Sequence, residues 1–239
     1  MTAGRPLEGQ VALITGASRG IGLAIARALG RMGACLSVCA RNAKNLDDAA
    51  RSLERDGAKV LAMPTDVARP SEIAKLVEKT ERSLGPIEIL VNNAGLGYFG
   101  PAHQAAESNW DSVLDTNLKS VFLLSKAVAP GMIARRSGHI INIASLAGRN
   151  AFAGGGIYCA SKWGLLGLTQ CMAEDLRGYG IRVSAVCPGS VATEFGPHTG
   201  KDPGKMLQAE DVAHAVEMLV TQAPRSFISE VLLRPTMKP

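Results

Sequence analysis

The sequence predicts an α/β fold: a doubly wound parallel sheet of about seven strands with helices on both faces. Three observations carry this. Short β-branched runs alternate with longer stretches of helical periodicity, those runs are apolar throughout rather than at every second residue, and a glycine-rich turn joins the first run to the first helix. Continuous apolar strands belong to a sheet covered on both faces, and right-handed crossovers wind it in two directions.

The elements follow in order. VALIT (11–15) is a buried strand and GIGLAIARALGRMG opens the first helix. CLSVCA (35–40) is the second strand, followed by an Ala- and charge-rich helix over 43–56. KVLAMPTD (59–66) is the third strand, with the amphipathic SEIAKLVEKTERSLG behind it. IEILVNNAG (87–95) is the fourth, and a long helical region follows, with a lead-in near 103–108 and a main body from Trp110 to Arg135 that Pro130 should kink or break. HIINIAS (139–145) is the fifth strand, 155–177 a helix, and IRVSAVCPG (181–189) the sixth strand. A Gly/Pro-rich segment over 190–205 reads as a short lid, before the helix AEDVAHAVEMLV and a last strand, EVLLR (230–234). No linker divides the chain, so residues 1–239 are read as one domain.

Bulk properties exclude several classes. The 239 residues are 46% hydrophobic and 20% charged, ordinary for a folded domain. MTAGRPLEGQ lacks the apolar stretch and small-residue cleavage site of a secretory leader, and the apolar runs stop short of membrane-spanning length. No membrane partner is expected. The cysteines Cys35, Cys39, Cys159, Cys171 and Cys187 are odd in number, contain no Cys-x-x-Cys pair and read as buried thiols of a reducing, cytoplasmic setting. A formal charge of +5 would suit nucleic acid, but the cations are dispersed, the one tight basic pair (Arg135-Arg136) falls at a helix end, and no aromatic residues interleave with it. Nucleic acid is not expected as a partner. His103, His139, His198 and His214 have no metal-ligand spacing.

The first strand runs into Thr15-Gly16-Ala17-Ser18-Arg19-Gly20-Ile21-Gly22. Glycines at a strand-to-helix turn let backbone approach a diphosphate, and the helix N-terminus offers unpaired N–H groups and a positive dipole end. The second strand closes with Arg41 and Asn42, where an acid would receive a ribose 2′-hydroxyl. With no acid there and Arg19 in the glycine turn, two guanidiniums suit a 2′-phosphate, so the expected cofactor is NADP(H).

These residues, with Asp66-Val67 after the third strand, Asn92-Asn93-Ala94-Gly95 after the fourth, Asn117 in the long helix, Ser145 after the fifth, Tyr158 with Lys162, and Pro188-Gly189 with Thr193 after the sixth, resemble the short-chain dehydrogenase/reductase family over nearly the whole chain. The resemblance implies a Rossmann-type fold and an oxidoreductase acting on a carbonyl or alcohol. Hydride transfer to a carbonyl needs a proton donor for the developing alkoxide and a group holding its oxygen. A free phenol ionises at about 10, and a cation one helical turn away favours the phenolate, so Tyr158 is the expected acid/base, tuned downward by Lys162, with Ser145 holding the substrate oxygen. Alone, the Tyr-x-x-x-Lys pair reads as a helix start with a solvated lysine; the company it keeps makes it catalytic.

The resemblance further implies that Lys162 contacts the nicotinamide ribose and that Asn117 anchors a water in a proton relay. It places Asp66 and Val67 against the adenine and Asn93 along the ribose, with Ala94 and Gly95 also against the cofactor. Pro188, Gly189, Val191 and Thr193 fall at the carboxamide. Glu194 and His198 on the lid read as solvated, and Cys159 as facing away from the chemistry. The pattern is similar to bacterial 3-oxoacyl-acyl-carrier-protein reductases, although the ending SEVLLRPTMKP lacks their Gly-Gly strand turn and the lid is short, so such a substrate is one candidate among small carbonyl compounds. A non-catalytic NADP(H)-sensing relative would typically lose the Tyr or Lys, and this chain keeps both. Family members pack two long helices between subunits, so VFLLSKAVA (121–129) and LLGLTQCMA (165–173) are the expected faces of a homodimer or homotetramer.

Overall fold

A computed structural model describes residues 5–196 and 202–239; residues 197–201, with His198 and part of the expected lid, and residues 1–4 lie outside the described residues. One sheet of seven parallel strands runs in the order β3-β2-β1-β4-β5-β6-β7. The strands are β1 (Val11–Thr15), β2 (Cys35–Ala40), β3 (Val60–Pro64), β4 (Ile87–Asn92), β5 (Gly138–Ile143), β6 (Ile181–Pro188) and β7 (Glu230–Leu233). Their alternate side chains feed cores on opposite faces. Ala12 and Ile14 of β1 join one with α1 (Gly20–Arg31) and α7 (Ala209–Val220), while Val11 and Leu13 join the other with α3 (Pro70–Leu84) and α5 (Ser120–Arg135). The remaining helices are α2 (Ala43–Arg55), α4 (Glu107–Leu114) and α6 (Gly156–Arg177).

Because every strand points the same way, all their C-terminal ends share one sheet edge. The chain moves outward from β1 through β2 to β3, then returns to β4 and proceeds in the opposite direction. The crevice between β1 and β4 is therefore the point where strand order reverses, the position where open α/β sheets bind ligands.

Two expectations need correction. Pro130 does not break its helix, because α5 runs on through it to Arg135. Pro130 and Lys126 are both exposed, so the carbonyl that loses its helical partner faces water. Val121, Leu124, Val128 and Met132 keep the inner stripe packed, and that packing outweighs the proline. The helical region opens within the expected lead-in, at Glu107, and passes through a π-helical turn, Asp115–Lys119, between α4 and α5. Of the cysteines, all free, Cys171 is exposed rather than buried.

Candidate active site

The glycine turn is built by hydrogen bonds from the neighbouring strand. Thr15, the last residue of β1, is buried, and its Oγ1 accepts the backbone N–H groups of both Asn93 and Ala94 at 3.0 Å. The Asn93 side-chain amide returns the contact, donating to the carbonyls of Thr15 (2.9 Å) and Gly16 (3.2 Å). Gly16 has φ +66°, a left-handed conformation that favours glycine. At Gly22 a Cβ would lie 2.4 Å from both the Gly16 carbonyl oxygen and Asn93 Nδ2, so only glycine fits. Helix α1 then starts with no side-chain cap, leaving its first N–H groups available to an anion.

A cavity of about 1950 Å³ runs along this edge and is lined by every expected site residue except Asn117. Its volume exceeds a typical small-ligand pocket and suits a dinucleotide with a second molecule beside it. Where the cavity passes the end of β2, Arg41 and Asn42 are exposed, and the Asn42 side chain caps α2 by accepting the Asn45 N–H at 2.9 Å. Asp66 Oδ1 accepts from Ala68 N–H, and Val67 is buried. Arg19 forms an ion pair with Glu194 across the mouth of the glycine turn. Glu194 is thus paired as well as solvated, a non-local partnership that no local pattern announces. The base of the segment after β6 is fastened by a bridge between Val191 and Leu207, with Ala192 N–H on the Leu207 carbonyl at 2.8 Å.

Further along the cavity, Tyr158 and Lys162 of α6 meet the end of β5. Lys162 is only 4% exposed, and its Nζ donates to the Ile143 carbonyl at 2.8 Å. Burial pulls the ammonium down to about 8. Its Nζ stands 5.9 Å from the centroid of the Tyr158 ring. Burial pushes the Tyr158 phenol up to about 12, with the Ser145 hydroxyl pulling more weakly the other way. The expected lowering by Lys162 is overridden here, because removing a phenolate from water costs more than the nearby hydroxyl returns. Ser145 Oγ also accepts the Ala147 N–H at 3.1 Å, starting a turn that packs closely on α6; a Cβ on Gly148 would lie 2.8 Å from the Lys162 carbonyl oxygen.

Asn117 sits in the π-helical turn, buried, with its amide spent on neighbours. It accepts the Leu96 N–H at 2.7 Å and donates to the Leu96 carbonyl at 2.8 Å and to Ser161 Oγ at 3.0 Å. The side chain is a fastener between this helix, the loop after β4 and α6. Asn92 turns into the sheet instead, donating to Asn142 Oδ1 at 2.9 Å. Cys159 is buried, with its thiol toward the Asn150 carbonyl at 3.9 Å.

Sequence reasoning missed Thr15 and three phenylalanines. Phe99, Phe152 and Phe195 line the cavity, two of them in ring contact with Tyr158. The polar end of an otherwise apolar VALIT run was the available signal for Thr15; the rings come from three distant loops and gave none.

The model for the short chain dehydrogenase family matches residues 10–204. A metagenomic short-chain oxidoreductase solved with NADP is 45% identical, with a TM-score of 0.88, covering 98% of this chain and 100% of that one. A Phe-to-Trp variant of the actinorhodin polyketide ketoreductase solved with NADPH is 34% identical at a TM-score of 0.88, over 94% of this chain and 95% of that one. A curated relative, the glycine betaine reductase of Emericella nidulans, is 36% identical over 98% of this chain, which spans 19% of that protein's length. The chain belongs to the short-chain dehydrogenase family and is an oxidoreductase of the nicotinamide-dependent kind.

Replacing Thr15 by Val removes the acceptor of two half-buried N–H donors, at about 1 kcal/mol or more each. Denaturant unfolding should show Thr15→Val less stable than the parent by about 2 kcal/mol or more, with weakened dinucleotide binding, and Thr15→Ser close to the parent. Equal stability of all three would show that the hydroxyl does not hold the turn.

Proposed function

We propose that the chain catalyses the NADPH-dependent reduction of a ketone or aldehyde to an alcohol, and the reverse oxidation, with Tyr158 as acid and base. The observation carrying this reading is the buried Tyr158 phenol, sharing a cavity with Ser145 and a glycine cradle and one turn from the buried Lys162 ammonium. The cradle fits a dinucleotide diphosphate: Gly16 and Gly20 have φ of +66° and +54°, Gly22 has no room for a Cβ, and the α1 N-terminus is uncapped. Arg19 and Arg41 line that end, and β2 closes without an acid, which supports a 2′-phosphate and hence NADP(H) over NAD(H). The NADP and NADPH of the two solved relatives support the same choice.

When bound, NADPH supplies the hydride that adds to the carbonyl carbon, leaving NADP⁺. The remaining work belongs to the protein. Ser145, its oxygen oriented by the Ala147 N–H, donates its own proton toward the carbonyl oxygen and polarises it. Tyr158, held protonated by burial, gives its phenolic proton to that oxygen as it becomes an alcohol. The phenolate left behind lies beside Lys162, whose ammonium stabilises it until solvent or the next turnover returns the proton. Asp66 and Val67 line the adenine end, Asn93, Ala94 and Gly95 the ribose path, and Pro188, Gly189, Val191 and Thr193 the carboxamide side. Likeness to a polyketide ketoreductase favours a 3-oxoacyl compound as one candidate substrate.

A second copy of this chain is the proposed partner. The large apolar side chains Trp110, Phe122 and Trp163 on α4, α5 and α6 are each about half exposed (48%, 46% and 53%), and an apolar groove runs beside Phe122 and Leu118. No helix among the described residues is long and apolar enough to cross a membrane, and free thiols suit a reducing cytoplasm.

In an assay of NADPH consumption with a panel of ketones, Tyr158→Phe should lose at least about a thousandfold in turnover while binding NADPH as the parent does. Retained turnover would refute the acid role. Glu194→Gln releases Arg19 from an exposed pair of at most about 1 kcal/mol, so NADPH should bind up to about fivefold tighter by fluorescence titration, with little change for NADH. Equal gains for both cofactors would place Arg19 away from the 2′-phosphate. Sedimentation at micromolar concentration should give a dimer or tetramer, and a monomer would dispose of the helix interface.

A further inference from the structure

We infer that the substrate end of the cavity selects carbonyl compounds bearing an aryl group next to the carbonyl, held among Phe99, Phe152 and Phe195. This rests on the reading of Tyr158 as the group at the reacting oxygen. The chain has five phenylalanines, and these three, from the loop after β4, the loop before α6 and the segment after β6, line one cavity. The Tyr158 ring has Phe99 at 5.6 Å and Phe195 at 5.8 Å between centroids, both tilted, and Phe152 stacks on Phe99 at 6.4 Å. These are the separations and inclinations at which aromatic quadrupoles attract.

The rings are placed by the backbone beneath them. A Cβ on Gly97 would lie 2.5 Å from the Phe99 ring, one on Gly196 2.9 Å from the same ring, and one on Gly155 2.5 Å from the Phe152 ring. Phe99 and Phe152 therefore lie close against chain that carries no side chain. Yet none is withdrawn into a core, for the three are 37%, 48% and 39% exposed, whereas Tyr158 is 8% exposed. The result is a wall of accessible ring surface converging on one buried phenol. A flat aryl group inserted there adds an edge or a face to an existing aromatic array. A saturated ring of the same size gains the burial but not the quadrupole contact, which is worth about 0.5–1.5 kcal/mol per pair. With more than one ring in reach, the expected preference for aryl over saturated ring is about tenfold.

The test uses the purified full chain with NADPH and three methyl ketones, carrying phenyl, cyclohexyl or ethyl. The phenyl ketone should show kcat/KM about tenfold above the cyclohexyl ketone. Phe99→Leu, Phe152→Leu and Phe195→Leu should each lower that ratio. Turnover of the ethyl or cyclohexyl ketone with no phenyl preference overturns the aromatic wall and leaves the reductase reading standing. If no ketone is turned over, the reductase reading fails, and calorimetric binding of the same ketones to the NADPH complex decides the wall. Tighter phenyl binding, lost in the leucine variants, supports it, and equal or absent binding overturns it. The phenyl-to-cyclohexyl ratio in the unaltered protein needs no variant to fold.

Discussion

The site depends on burying one ammonium. Taking a lysine out of water costs several kcal/mol, and in this fold the Ile143 carbonyl at the open end of β5 is what meets it. A strand's last carbonyls lack a neighbour-strand partner at that edge, so the parallel sheet itself offers the acceptor. The lysine then fixes the roll of α6, which sets Tyr158, one turn earlier, in the buried wall of the cavity. Its depressed basicity and the phenol's raised pKa share one cause, exclusion of water, which disfavours whichever form is charged. The arrangement is strongest when the phenolate forms next to the ammonium, because two opposite charges created or kept in a dry site stabilise each other.

A second layer of polar contacts keeps the cavity from closing. The Thr15 hydroxyl and the Asn93 amide bind the glycine turn to the end of β4, and Asn117 binds the next loop residue, Leu96, to α6 through Ser161. Those contacts are half-buried or buried and satisfy one another, so they hold the backbone of the cavity wall in place. The π-helical turn around Asn117 is the deformation that lets its amide reach both partners, a use of irregular helix common at functional sites.

Much of this was legible in the chain. Apolar runs and glycine punctuation locate all seven strands within two or three residues, and the glycine turn, Tyr158 and Lys162 are recognisable because their spacing carries their geometry. What escaped reading is non-local. Pro130 is tolerated because the inner face of α5 is packed and its outer face is wet, which no window of sequence reveals. The aromatic wall assembles from residues 53 and 43 positions apart along the chain, Phe99 to Phe152 to Phe195. The Arg19–Glu194 pair joins the glycine turn after β1 to the segment after β6. The lowering of the phenol by Lys162 failed for a different reason: sequence supplies the neighbouring charge but not the degree of burial, and burial is the larger effect.

The most direct test of the account is the ionisation of Tyr158 in the folded protein. Tyrosinate absorbance titrated in the parent and in Tyr158→Phe isolates this phenol from Tyr98 and Tyr179. The account predicts no difference between the two proteins up to pH 10, the ordinary phenol value, because burial holds Tyr158 protonated toward about 12. A phenolate signal unique to the parent at pH 7 to 9 would contradict it, and would show instead that Lys162 outweighs desolvation.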